Sequence, residues 1–216
     1  VSRLAIRRLG ALGDIHSEDR ALEAALQFFE ERGPDAVVAV GDLVDGEGDV
    51  NRVLRLLVEH NVQVVRGNHD RWIVDDEMRD LPHAHPLSQI DPQGRELLAS
   101  LPQTQSISTC RGDLLLCHGV GDDDMQRLAP DDTGYALESN RALLRLLAER
   151  RYAYVLGGHT HRRMVRPIGG ITFFNAGTLR RGDDPCFLWL DFERRVAEFH
   201  DVSSEGVLTG EAAIAF

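Results

Sequence analysis

Two histidines stand two residues apart in GGHTH (157–161), directly behind the apolar run YAYVL (152–156). On an extended backbone that spacing puts His159 and His161 on one side and turns Thr160 away. Four more polar clusters follow apolar runs in the same manner: GDIHS (13–17), GDLVDG (41–46), RGNHD (66–70) and CHG (117–119). Five of the nine histidines of the chain fall in these five clusters. Gathered in one place they would offer Asp14, His16, Asp42, Asn68, His69, His118, His159 and His161. The set mixes carboxylate, imidazole and amide oxygen and contains no thiolate. One metal ion seldom takes more than about four to six ligands, so the set fits two ions better than one. A shared carboxylate can bridge two cations ~3.5–4 Å apart, the spacing that clamps the attacking and leaving oxygens of a phosphoryl transfer. Taken singly, each histidine is better explained as a hydrogen-bonded structural residue. Taken together they are not, because unsatisfied polar groups at five strand ends would cost several kcal/mol.

The elements that must position these clusters are legible from periodicity. DAVVAV (35–40), VQVV (62–65), DLLLC (113–117), YAYVL (152–156) and ITFF (171–174) read as buried strands. Residues 19–31 carry Leu22, Leu26 and Phe29 on one helical stripe behind a cap at Ser17, 49–59 repeat Val50, Val53, Leu54 and Leu57, and 138–150 repeat Leu143, Leu144 and Leu147. Alternation of strand and helix implies right-handed crossovers and a largely parallel sheet, and loops beyond the carboxyl ends of such strands meet in one crevice. The tail CFLWLDFERRVAEFHDV (186–202) reads instead as a hairpin turning near Glu193 to Arg195, hence a mixed or second sheet. Residues 75–112, with four prolines and one short helix near 93–100, are the least regular stretch and read as a lid or rim.

Bulk composition bounds the function. A chain of 216 residues with 43% hydrophobic content can bury one substantial core, so a single domain over 1–216 is expected. No stretch approaches ~18 uninterrupted apolar residues, and the first residues run into motif residues without a cleavable signal, which predicts a cytoplasmic protein without a membrane partner. The net charge of −11 argues against tracking along extended nucleic acid and leaves room for a small phosphorylated substrate. All 24 basic residues are arginine, which rules out a Schiff-base or P-loop lysine. Cys110, Cys117 and Cys186 lack CxxC spacing and are expected to be reduced residues in or near the core.

The ordered series D-x-H, G-D-x-x-D, G-N-H-D, H and G-H-x-H, running from residue 13 to 161, resembles the calcineurin-like metallophosphoesterase family. FFNAGTLR (173–180) is similar to that family's late Asn-Pro-Gly-Ser turn, with Ala176 and Thr178 replacing proline and serine. The resemblance implies an α/β fold, a four-layer αββα sandwich of two mixed β-sheets with the metal site at the carboxyl ends of the strands. It implies two divalent or mixed-valence transition-metal ions, of manganese, iron or zinc. Asp14, His16 and His161 would hold the first, Asn68, His118 and His159 the second, and Asp42 would bridge them. A hydroxide bridging the metals would attack phosphorus in line with the leaving oxygen. His69 would protonate that oxygen, Asp70 would orient His69, and Asp45 would stand behind the ligands. Serine/threonine protein phosphatases of the family carry arginine and glutamate where Gly46 and Asp70 stand here, so the chain is more similar to the small bacterial-type phosphodiesterases. Nucleotide pyrophosphatases of the diadenosine tetraphosphatase type are the nearer alternative, a metal-dependent nuclease another, and a non-catalytic scaffold the remaining one.

Other polar residues have simpler expectations. His83 and His85 lie between prolines and read as a solvated loop, and GDDD (121–124) as an acidic surface turn. Arg180, directly after the late turn, is the best candidate among the motif-flanking arginines for contact with a phosphate oxygen. Cys117 should face away from His118 into the core, and Trp72 would wall the pocket or pack beneath it, core packing being the more frequent fate of a tryptophan.

Overall fold

The computed structural model describes residues 5–216. Strand β1 (Arg8–Leu12), helix α1 (Asp19–Arg32), β2 (Ala36–Ala39), α2 (Val50–Glu59), β3 (Gln63–Val64) and α3 (Asn68–Val74) form the alternating first half. Then come α4 (Pro92–Ser100), β4 (Gln105–Thr109), β5 (Gly112–Leu116), α5 (Tyr135–Glu138), α6 (Arg141–Glu149) and β6 (Tyr154–Gly157). The remainder is all strand: β7 (Met164–Ile168), β8 (Ile171–Asn175), β9 (Cys186–Asp191), β10 (Val196–Val202) and β11 (Leu208–Ala215). Helix starts are set by short polar side chains that accept an otherwise orphaned N–H: Asp49 from Arg52, Asp91 from Gly94 and Asn140 from Leu143. The expected cap at Ser17 is absent. Glu18 occupies that position without a side-chain cap, and Ser17 takes a left-handed backbone (φ 61°) with its hydroxyl buried and unpaired.

Two mixed sheets result, ordered β11-β10-β9-β1-β2-β3 and β4-β5-β6-β8-β7. β1, β2 and β3 are parallel to one another, as are β5, β6 and β8, and antiparallel strands complete both sheets. Leu9, Ala11, Val38 and Val40 from one sheet meet Leu114, Leu116, Tyr154, Leu156 and Phe174 from the other in a core between them. The opposite face of the first sheet is covered by Leu22, Leu26, Phe29, Val53, Leu54 and Leu57, and that of the second by Leu143 and Leu146. Helix, sheet, sheet and helix therefore form four layers, as the motif resemblance implied. Inter-layer contact explains why strands of α/β pattern are apolar on both faces.

Several elements escape periodicity. β4 forms inside the stretch expected to be a lid, by pairing antiparallel with β5. Every residue of β11 is exposed, so its backbone pairing with β10, and not burial, makes it a strand. Cys110 is exposed beside the β4–β5 turn instead of lying near the core, whereas Cys117 and Cys186 are buried. Burial pushes those two thiols up to about 12 and about 11. Among the described residues no helix is long and apolar enough to cross a membrane.

Candidate metal centre

The five clusters leave the carboxyl ends of β1, β2, β3, β5 and β6, and the two packed sheets bring them to a common edge. The backbone there is not extended. His16, Asp42, His159 and His161 all have positive φ, of 46°, 49°, 64° and 57°. Such left-handed residues cost about 1–2 kcal/mol each, a strain that persists only where the surroundings over-determine it. Strand alternation thus does not govern GGHTH, which has left β6 by residue 158. His159 and His161 reach two different neighbourhoods through consecutive sharp turns. Asn175 supports them, its amide donating to Gly158 O at 2.5 Å and Thr160 Oγ1 at 3.1 Å.

The first neighbourhood contains Asp14, His16, Asp42 and His161, whose ligand atoms all lie within 4.8 Å of one another. His16 Nδ1 donates to Asp45 O at 2.9 Å, and His161 Nδ1 donates to Asp183 Oδ2 at 2.8 Å. Both imidazoles therefore carry a proton on Nδ1 and turn Nε2 toward the centre. Those two Nε2 atoms face each other at 3.0 Å, with Asp42 Oδ2 3.8 Å from that of His16. Two acceptors so close, beside two carboxylates, form a stable set around a cation.

The second neighbourhood repeats this logic. His118 Nδ1 donates to Val40 O at 2.8 Å, leaving Nε2 2.9 Å from Asn68 Oδ1 and 3.4 Å from Asp42 Oδ2. His159 Nδ1 lies 3.0 Å from the same Asn68 oxygen. Asp42 touches both neighbourhoods. The residues present accordingly fit metal cations: buried carboxylates, an amide oxygen and imidazole nitrogens converge, and His16, His118 and His161 each have Nδ1 held by an oxygen behind it, which turns Nε2 toward the centre.

Three expectations are corrected here. Asp70 does not orient His69; its buried carboxylate accepts the N–H groups of Leu43 at 2.8 Å and Gly67 at 2.9 Å, tying α3 to the Asp42 loop. Asp45 is the carboxylate that contacts the imidazole, accepting His69 Nδ1–H at 2.8 Å. His85 is not part of a solvated loop, since its Nδ1 accepts the Asp45 N–H at 3.0 Å and its own N–H donates to Asp45 Oδ1 at 2.9 Å, while His83 stays exposed. Trp72 is half-buried against His69, ring centroids 4.7 Å apart, so it walls the site. Asp124 of the acidic turn is engaged by Arg71 through two bonds of 2.7 and 3.1 Å. Arg180 is exposed, 3.6 Å from the Asp183 oxygen that His161 also contacts. Sequence reasoning missed Arg79 and Asp183 altogether, because neither lies in a motif. Cys117, as expected, packs in the core beneath His118.

Electrostatics of the protein groups follow from this crowding. Burial alone would lower the His118 pKa, but the charge and hydrogen bond of Asp42 and the charge of Asp14 outweigh it and push it up to about 10. A proton and a cation compete for that nitrogen. Asp42, although burial would raise it, is held far below the usual carboxylate range, first by the His118 charge. Burial lowers His16 and His159, keeping both neutral and ready to ligate. His69 is raised: burial opposes this, and the Asp45 hydrogen bond with the charges of Asp42, Asp45 and Asp70 prevails.

The fold has counterparts among solved structures. The hypothetical protein PH1004 from Pyrococcus horikoshii OT3 superposes with a TM-score of 0.72 at 19% identity, covering 91% of this chain and 88% of that one. A metallophosphoesterase from Sphaerobacter thermophilus gives a TM-score of 0.68 at 20% identity, covering 93% of this chain and 89% of that one. At such identities the likeness is one of fold. The uncharacterized protein MJ0912 of Methanocaldococcus jannaschii is 32% identical over 72 residues, 33% of this chain and 30% of that protein. The sequence model of the calcineurin-like phosphoesterase superfamily domain matches residues 8–195, a span that includes all five clusters. This chain belongs to the calcineurin-like phosphoesterase superfamily.

Proposed function

We propose that the protein is a dinuclear-metal phosphoesterase that hydrolyses phosphodiesters, with Asp14, His16 and His161 holding one ion, Asn68, His118 and His159 the other, and Asp42 shared. The observation that carries the reading is the facing pair of Nε2 atoms of His16 and His161, 3.0 Å apart, beside a second group of donor atoms reached through the same carboxylate. Two cations bound there would supply Lewis-acid neutralisation of phosphoryl oxygens and a water of lowered pKa for in-line attack at phosphorus, and manganese, iron or zinc suits the donor set.

The chain's own residues do the rest. Asp42 Oδ1 accepts the His69 N–H at 2.9 Å, fixing the start of α3 next to the centre. His69 is outside both ligand groups, and with Nδ1–H tied to Asp45 it has Nε2 available to give a proton to the leaving oxygen. Its raised pKa favours the protonated form that this task requires. Trp72 shields one flank of that imidazole from water. A protein-phosphatase type of site is disfavoured by local space, because a Cβ on Gly46 would come within 1.8 Å of His16 O, so no arginine fits there.

The test is a panel of alkyl and aryl diesters, monoesters, dinucleotides and single-stranded DNA, assayed with metal-free protein reloaded with manganese, iron or zinc. Turnover of diesters that vanishes in Asp42→Asn supports the proposal. Absence of turnover with two ions bound, or full activity in Asp42→Asn, would sink it.

A further inference from the structure

Asp45 is tied more heavily than its place behind the metal ligands requires. Its carboxylate, 1% exposed, accepts His69 Nδ1–H at 2.8 Å, Arg79 Nη1–H at 3.0 Å, Arg79 Nη2–H at 2.9 Å and the His85 N–H at 2.9 Å. Arg79 is itself anchored, donating from Nε to Glu77 O at 2.6 Å and from Nη1 to His85 O at 2.8 Å. Four of its five N–H donors are thus spent inside the protein, which leaves it poorly placed to grip a phosphate. A cation beside Asp45 cannot come from the next residue in the chain, since His16 O occupies the space where a side chain at Gly46 would start. It comes instead from Arg79, within the stretch 75–112 that the sequence presents as a lid or rim.

We propose that Arg79 is a positioning residue of the reaction: its planar fork clasps both oxygens of Asp45 so that Asp45 holds the His69 imidazole by Nδ1 and leaves Nε2 for the ester. This rests on the role given to His69 above. The terminal torsion of an aspartate is broad, so without the fork the carboxylate, held on one oxygen by the His85 N–H and on the other by the imidazole, is free to turn and let the ring turn with it. A bidentate guanidinium fixes the carboxylate plane. A lysine supplies the charge but reaches one oxygen at a time, so charge and clasp can be separated.

The experiment compares the wild type with Arg79→Met and Arg79→Lys in two ways. Nitrogen-15 spectra of the His69 imidazole in metal-free protein, assigned with His69→Gln, report which ring nitrogen carries the proton and whether it is fixed. Reloaded protein is then assayed for kcat and KM on an alkyl diester and on bis(nitrophenyl) phosphate. The clasp predicts a fixed Nδ1–H in the wild type and an averaged, exchanging ring in Arg79→Met. It also predicts an alkyl-ester kcat lowered ~10–100-fold with KM and nitrophenyl turnover within about threefold, and Arg79→Lys between the two. An equal loss on both esters, or His69 nitrogen signals unchanged in both variants, overturns it. Should the wild type hydrolyse no ester at all, the function proposed above falls, and the nitrogen spectra still decide the role of Arg79.

Discussion

Replacing Asp70 by alanine is expected to cost stability and to leave the leaving-group selectivity of turnover intact. The Asp70 side chain is fully buried and accepts two backbone N–H groups, from Leu43 and Gly67. Truncation leaves both donors buried without an acceptor, at about 1–3 kcal/mol each, hence on the order of 2–6 kcal/mol together. For a chain of this length that corresponds to a fall in Tm on the order of 10 °C. One effect opposes it. Burial, and then the nearby charge of Asp42, push the Asp70 pKa up to about 6. The native state therefore holds a proton that the unfolded chain, titrating near 3.8, has already lost, and the stabilising contribution of this group declines as pH rises through about 6. The variant lacks that decline, so its deficit is larger at about pH 5 than at about pH 8. Guanidinium unfolding of metal-free wild type and Asp70→Ala at both pH values measures the difference. A deficit below ~1 kcal/mol, or a rate loss confined to alkyl esters with stability kept, would refute the reasoning and return the orientation of His69 to Asp70.

Metal analysis after saturation and removal of excess should give two ions per chain, with Asp42→Asn depleting both sites and His161→Ala one; a single ion with full activity would contradict a shared carboxylate. His69→Asn should retain both ions yet lower alkyl-ester turnover by ~10²–10⁴ and nitrophenyl-ester turnover far less. Because the His69 pKa lies above 6.5, the alkyl-ester rate should persist beyond that pH and fall as pH rises through the raised value, and a fall beginning below 6.5 would rule out His69 as the proton donor. Cation uptake near neutral pH should release the proton that His118, with its pKa pushed up to about 10, otherwise carries. Calorimetry in buffers of different ionisation enthalpy reads that release, and heats independent of buffer would mean His118 is not displaced of its proton.

The polar residue types, their order and their attachment to strand ends were all legible in the sequence, because apolar strands are short, contiguous and terminated by clusters such as GNHD and GGHTH. The hairpin at 186–202 and helices α1, α2 and α6 were legible for the same reason: burial of one face imposes a period that a linear reading can count. β11 was not, since a strand held only by backbone pairing leaves no hydrophobic trace.

Which polar group serves which partner was decided only by the tertiary structure. Asp45 and Asp70 are both acidic residues within motifs, and nothing local distinguishes the one that holds His69 from the one that caps α3. The chain turns left-handed at His16, Asp42, His159 and His161, so the imidazoles converge by a route that strand alternation does not describe. Arg79, His85 and Asp183 reach the site from segments without any motif. Periodicity records what a residue buries along its own element, whereas hydrogen-bond partners are chosen in three dimensions, across distances in sequence that carry no pattern.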